Sequence, residues 1–527
     1  MHRAAVAAIV VCFGVFAQAA GAITFSAAVP SGRGLSQLAA SDSANIALEA
    51  DERAERLVRE SGGTLLSATL RIWKLDGLAA ARLVPELDRL GALRYAEPAR
   101  SRTSLVRFTD PLATPEIGYH LRAIGADRAE APGPGFPITV IDSGLDLTHP
   151  DFAGRPNTVL LNPQFVSGPE GGDYHGTEVA ATAAAAVNGV GGEGAYPEAR
   201  LRIFDLRDDL ADASVVAGIE AALAAGPSVI NLSLGGPDPS RAEYEATQLA
   251  FGSGSLVVAS SGNELEDGNP ILYPASFPHV LTVGATGRND QATVFSSSSA
   301  AVDLSAPGEE IPFQDPLDPS AYDLIDGTSF SAPLVSAAAA WVRTVRGPMT
   351  IGQLGDLLRF GARDIGKEGY DESTGFGVLD IPGSLAEPLP PRDPQEPNDD
   401  VRQVVAGGLF RAAKPLASAT FNAVVDEIED PRDVYRVSLP KGRKLTVKVT
   451  SNDDVRLALF GPTARTVVGI RSRLAAVDRA GKAPETLTYA NKGRGALVLF
   501  LEVAPGKARK VANPRYRVEL KTALVPR

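Results

Sequence analysis

Pro137-Ile138-Thr139-Val140-Ile141-Asp142-Ser143-Gly144 is the stretch that decides how the centre of this chain is read. Its apolar, partly β-branched residues suit a short strand buried on both faces, and the run stops at a carboxylate and then a glycine. Four runs of the same kind follow: Leu201-Arg202-Ile203-Phe204, Val229-Ile230-Asn231-Leu232-Ser233, Leu256-Val257-Val258-Ala259 and Val280-Leu281-Thr282-Val283. Helical patterns lie between them at Thr177 to Val187, Ala213 to Ala225 and Arg241 to Phe251, the second closed by Gly226-Pro227. Two more are predicted at Ser329 to Val345 and Ile351 to Gly361, the latter opened by Thr350 and Gln353 at capping-box spacing. This alternation predicts an α/β domain, a parallel sheet with helices on both faces, whose ligands bind beyond the carboxyl ends of the strands.

On the N-terminal side, a helix-like stretch from Ala44 to Glu60 precedes an apolar run from Thr64 to Trp73. A helix from Leu78 to Leu90, starting afresh at Pro85, and a last run from Ala92 to Pro98 complete a small α+β module. On the C-terminal side, residues 387–400 carry five prolines among acidic residues and read as a stiff linker. Beyond it the period becomes two, at 433–439, 444–449, 455–459, 496–503 and 516–520, with turn residues between, which predicts an all-β sandwich.

The length of 527 residues suits two to four domains at about 150 residues each, and 44% hydrophobic content can fill their cores. With 51 basic and 63 acidic residues the net charge is −12, which argues against nucleic acid or an anionic membrane as the main partner. Met1-His2-Arg3, the apolar run Ala4 to Phe16 and the small residues 17–22 have the three parts of a secretory leader, cleaved after Ala19 or Ala22. The apolar run falls short of the ~20 residues of a membrane span, so no membrane anchor is expected. Cys12, the single cysteine, would leave with the leader, and the exported protein would then have no disulfide and no cysteine metal site.

Chemistry concentrates at four places. Asp142 ends a buried strand, where a carboxylate is costly unless paired. His175, in His175-Gly176-Thr177, opens an alanine-rich helix and is the candidate partner: a carboxylate on one ring nitrogen leaves the other free to take a proton from a hydroxyl. Ser329, in Gly327-Thr328-Ser329-Phe330-Ser331-Ala332-Pro333, supplies a hydroxyl at a helix start. Asn263, in Ser261-Gly262-Asn263 just past a strand, carries an amide able to donate to an oxyanion together with the Ser329 N–H. Each motif alone also describes a cap or a turn.

The four motifs, in the chain order Asp, His, Ser, resemble the subtilisin-like serine proteases over residues 115–385. The resemblance implies a seven-stranded parallel sheet, a triad of Asp142, His175 and Ser329, an oxyanion hole with Asn263, and a substrate-binding edge at Ser233, Leu234 and Gly235. It implies no cofactor for the chemistry. Asp151 matches a calcium-ligand position of the family, but the loop Asn188 to Ala195 looks too short and glycine-rich to complete that site, so structural calcium is unsupported and metal ligands are left unassigned. Phe330 stands where methionine is more familiar, with little consequence expected. His120, His149 and His279 are expected to have structural or surface roles.

By the same resemblance, residues 23–105 look like an inhibitory propeptide, and 401–527 resemble the pre-peptidase C-terminal β-sandwich of secreted bacterial proteases. The expected protein is a secreted, monomeric serine endopeptidase made as a self-processing zymogen, acting on protein or peptide substrates and held by its own propeptide. An inert protease fold used for binding is opposed by the intact quartet. An α/β-hydrolase esterase is opposed by the chain order and by the lack of Gly-x-Ser-x-Gly around Ser329.

Overall fold

The computed structural model describes residues 33–41, 43–99, 109–162, 174–207, 209–316, 318, 321–393, 395–405, 415–426, 428–507 and 514–525. The predicted leader with Cys12, and the segment 100–108, lie outside the described residues. Among the described residues no helix is long and apolar enough to cross a membrane. Among the described residues, those up to residue 99 form one unit and those from residue 109 onward another.

The first unit is a four-stranded antiparallel sheet in the order Thr64–Ser67, Ile72–Asp76, Ser43–Leu48, Leu93–Pro98, packed against helices through Ile46, Trp73, Leu75, Val84 and Leu87. Two expectations are corrected here. Residues 43–48 are one of the two inner strands, and the helix begins only at Glu52, because the Asp51 carboxylate accepts from the N–H groups of Arg53 and Ala54 and caps it. Pro85 does not restart a helix: Gly77–Arg89 is continuous, with Asp76 capping its start.

In the second unit, the strands β1 (Ile138–Asp142), β2 (Thr158–Leu160), β3 (Leu201–Asp205), β4 (Val229–Leu232), β5 (Leu256–Ser260), β6 (Val280–Thr286) and β7 (Leu304–Pro307) make one parallel sheet in the order β7-β6-β5-β4-β1-β3-β2. Every residue of β1, β4, β5 and β6 is buried, as their uninterrupted apolar character requires. One face carries α1 (His175–Ala184) and α4 (Thr328–Arg346), which share a core with Val140, Val258 and Val283; on the other, α2 (Asp212–Ala224) and α3 (Arg241–Gly252) share one with Ile141, Ile230 and Val257. The helix α5 (Ile351–Phe360) opens with the expected capping box at Thr350 and Gln353.

The C-terminal strands form two four-stranded antiparallel sheets, Ala419–Val424, Arg515–Leu524, Arg443–Ser451, Glu485–Ala490 and Asp433–Leu439, Leu497–Pro505, Val455–Phe460, Arg473–Val477. Their inner faces share a core of Val437, Leu445, Val447, Leu457, Leu501 and Val518. The proline-rich linker does not run free: the Gln353 side chain donates to the Pro390 carbonyl at 2.6 Å, and the Arg346 guanidinium to the Glu387 carbonyl at 2.8 Å.

Candidate active site

Asp142, Ser233 and Asn263 all follow or end the carboxyl ends of neighbouring strands, and α1 and α4 present His175 and Ser329 to the same edge of the sheet. Asp142 is 3% exposed. Its Oδ1 accepts from the Ser143 N–H at 2.8 Å and lies 2.8 Å from Nδ1 of His175. A carboxylate there fixes the tautomer with the proton on Nδ1, so the lone pair is on Nε2. The start of α1 is held down by Ser143, whose hydroxyl accepts from the Gly176 N–H at 3.0 Å. Position 176 must be glycine: a Cβ there would lie 2.3 Å from the Gly144 carbonyl oxygen. The His175 ring packs on Phe330, centroids 5.9 Å apart, which puts it beside the residue that follows Ser329.

Ser329 is half-buried in the first turn of α4. Its N–H, second in the helix, has no intrahelical acceptor. Its carbonyl is released as well, because Pro333 lacks the N–H that would bond to the residue four positions back. That carbonyl accepts instead from the Ser233 hydroxyl at 2.7 Å, while the Ser329 hydroxyl lies 3.4 Å from the Ser233 carbonyl. Behind Ser233 a buried relay continues. The Asn231 amide donates to the Ser233 hydroxyl at 3.0 Å, and the Ser336 hydroxyl donates to the Asn231 Oδ1 at 2.9 Å, tying α4 to the end of β4.

Asn263 is oriented by Thr328. Both the N–H and the hydroxyl of Thr328 donate to the Asn263 Oδ1, each at 2.9 Å, and the hydroxyl accepts from the Gly262 N–H at 3.2 Å. Only the oxygen of the amide can accept those bonds, so Nδ2 must be the free end. It lies beside Gly327, where a Cβ would be 3.5 Å away. Leu234 and Gly235 continue from β4 beyond its last ladder pair, and Gly236 then pairs with Tyr273.

The arrangement is an Asp–His pair with a serine at a helix start and an oriented amide beside it. Residues 133–377 match the model of the subtilase family, peptidase S8. The chain is 35% identical over 254 residues to subtilisin of Bacillus pumilus, spanning 47% of this chain and 90% of that protein. It belongs to the subtilase family. It is also 33% identical over 276 residues to subtilisin DY of Bacillus licheniformis, spanning 50% of this chain and 97% of that one. With subtilisin E of Bacillus subtilis strain 168 it shares 35% identity over 254 residues, 47% of this chain and 65% of the longer relative, so it spans just under two thirds of that protein.

As a subtilase the chain has Phe330 beside the serine, 4% exposed and in contact with His175, so the larger ring is used to wall the imidazole. The calcium position at Asp151 does not fit an ion. Asp151 Oδ1 accepts from the Gly192 N–H at 3.2 Å and stands where a Cβ on Gly191 would come within 2.0 Å. The neighbouring Asp110 accepts from the N–H groups of Asn188 and Gly189, and Glu193 from those of Thr109 and Asp110. Amide donors thus occupy carboxylates that would otherwise be ligands, and amides repel a cation. His120, His149 and His279 are all buried, so the structural half of their expected role holds and the surface half does not.

Proposed function

We propose that this subtilase is a secreted serine endopeptidase that hydrolyses peptide bonds through an acyl-enzyme. Ser329 Oγ attacks the scissile carbonyl as its proton passes to His175 Nε2. Asp142, bonded to Nδ1, steadies the imidazolium. The oxyanion of the tetrahedral intermediate is held by the Asn263 amide and the Ser329 N–H. His175 then gives its proton to the leaving amine, and water repeats the sequence on the acyl ester to release the acid and restore the serine. No cofactor takes part. An extended substrate lies along Ser233, Leu234 and Gly235 by strand addition, with side-chain pockets selecting among sequences.

What supports this reading is the 2.8 Å contact of His175 Nδ1 with Asp142 at the edge where Ser329 opens α4. Residues 1–22 act as the export leader, 23–105 as an intramolecular inhibitor, 115–385 as the peptidase domain, 387–400 as the linker and 401–527 as an accessory β-sandwich, the whole acting as a monomer. The protein would mature by its own cleavage near residues 100–110. The test is to purify the full chain and its Ser329→Ala form separately. The first should trim itself and then cleave peptides; the second should do neither. Trimming of pure Ser329→Ala protein would contradict self-processing, and peptide cleavage by it would contradict the nucleophile.

A further inference from the structure

Leu272 is 8% exposed, yet it belongs to neither of the apolar cores on the two faces of the parallel sheet. It sits between two glycines at the carboxyl edge. β4 and β5 are neighbours whose last ladder pair is Leu232 with Ala259, and Gly235 and Gly262 each come three residues later, on the segments that run on past the sheet. A Cβ on Gly235 would lie 3.8 Å from Leu272 Cβ, and one on Gly262 would lie 2.3 Å from Leu272 Cδ1. The leucine therefore reaches from one segment across to the other. Its backbone is pinned there, because the next residue, Tyr273, exchanges N–H···O bonds with Gly236 at 2.8 and 2.9 Å. We propose that Leu272 closes the floor of the cleft that receives the side chain of the residue carrying the scissile carbonyl, and so restricts cleavage to peptides with a small side chain there, such as alanine or serine.

Where the substrate lies follows from the proposed function, on which this inference rests. The scissile carbonyl must meet Ser329 Oγ with its oxygen toward Asn263 Nδ2, and the residue that carries it must run along 233–235 to pair with that edge. With its backbone held on those two sides, its side chain has one way to go, into the gap between 233–235 and 261–263. Such a gap is deep only if its far end is empty. Here the far end holds a leucine side chain against the backbone of Gly262 and beside Gly235, at a place where a side chain packed to interior density has no room to retreat. A methyl or hydroxymethyl group stops short of it, whereas a phenylalanine ring would overlap it.

A second group narrows the choice. Glu264 Oε2 stands 2.5 Å from where a Cβ on Gly262 would be, held by the Asn263 N–H at 2.6 Å and the Ser297 hydroxyl at 3.3 Å. The Ser297 hydroxyl also accepts from the Glu264 N–H at 3.1 Å, so the carboxylate is fixed against the Gly262 wall of the cleft. A carboxylate there repels an acidic side chain. Aspartate and glutamate are thus refused by charge, and phenylalanine by volume, which is selection by exclusion as much as by attraction.

The test compares peptide anilides that differ only in the residue before the scissile bond, alanine against phenylalanine. A kcat/KM ratio of at least about 10² in favour of alanine is expected, since even one methylene in a closed pocket is worth about 10-fold or more. Leu272→Ala should move the ratio toward phenylalanine by about 10-fold or more, and Leu272→Val by a smaller step. The ratio does not depend on how much of a variant folds, because misfolded protein removes turnover of both peptides alike. In parallel, the acid products ending in alanine or phenylalanine are titrated into the same purified proteins by calorimetry. Their Kd values should follow the same order and shift the same way, a reading that needs no turnover and so stays separate from a failure of Ser329 as the nucleophile. Phenylalanine used or bound as well as alanine by the unaltered protein, or ratios unchanged in both Leu272 variants, would overturn the proposal.

Discussion

The backbone N–H of Thr328 donates to the side-chain oxygen of Asn263 at 2.9 Å, one residue before Ser329. The bond ties the amide to the same helix turn that carries the serine, so the two proposed oxyanion donors are placed by one element. Replacing Asn263 by alanine should lower kcat by about 10² to 10³, a magnitude established on a subtilisin, with little change in KM. Thr328→Val keeps the N–H donor and loses the hydroxyl, so a smaller fall is expected. Steady-state kinetics on a peptide anilide measure both.

Gly176→Ala tests how α1 is seated. The added methyl would meet the Gly144 carbonyl oxygen at 2.3 Å and the Gly144 nitrogen at 2.8 Å, backbone atoms with little room to yield. A loss of about 1 to 3 kcal/mol is expected from such overpacking, with a larger proportional loss of activity because His175 is the preceding residue. Urea unfolding and kcat on the same preparation separate the two effects.

His120 should make the protein acid-sensitive. Burial, and then the Arg288 charge, pushes its imidazole down to about 3. Below its unfolded value of about 6.5 the unfolded chain takes up a proton that the folded protein refuses, so stability falls by about 1.4 kcal/mol per pH unit until pH nears 3. In the Ser329→Ala background, His120→Gln should lose that part of the slope between pH 6.5 and 4.5. Equal slopes in urea melts would speak against it.

Arg359 stands between Asp303, at 3.0 Å, and Asp356, at 2.9 Å, with its side chain 12% exposed. Burial alone would lower its pKa, but these two carboxylates and then Glu429 and Asp426 outweigh burial and raise it. Arg359→Met strands Asp303 and should cost about 3 to 5 kcal/mol, while the double variant with Asp303→Asn should recover part of the loss. Thermal melts of the three proteins decide this.

Burial on both faces made most central strands legible: β1, β4, β5 and β6 are buried throughout and largely apolar, while β3 alternates with Arg202 and Phe204 half-buried, and β2 and β7, at the two edges, have only three and four residues. Three sandwich strands, 419–424, 473–477 and 485–490, each at a sheet edge, were not read from the sequence. At the candidate site the sequence supplied residue types and an order. It could not supply the Thr328–Asn263 bond or the release of the Ser329 carbonyl by Pro333, since both depend on how a strand end meets a helix start.

The central claim is that Ser329 is a nucleophile activated by His175 and Asp142. Its most direct measurement is labelling of the purified protein with a fluorophosphonate, followed by intact mass and peptide mapping. One adduct per molecule on Ser329 is expected, lost in Ser329→Ala and strongly slowed in His175→Ala. No adduct on the mature protein, or an adduct on another residue that survives Ser329→Ala, would contradict it.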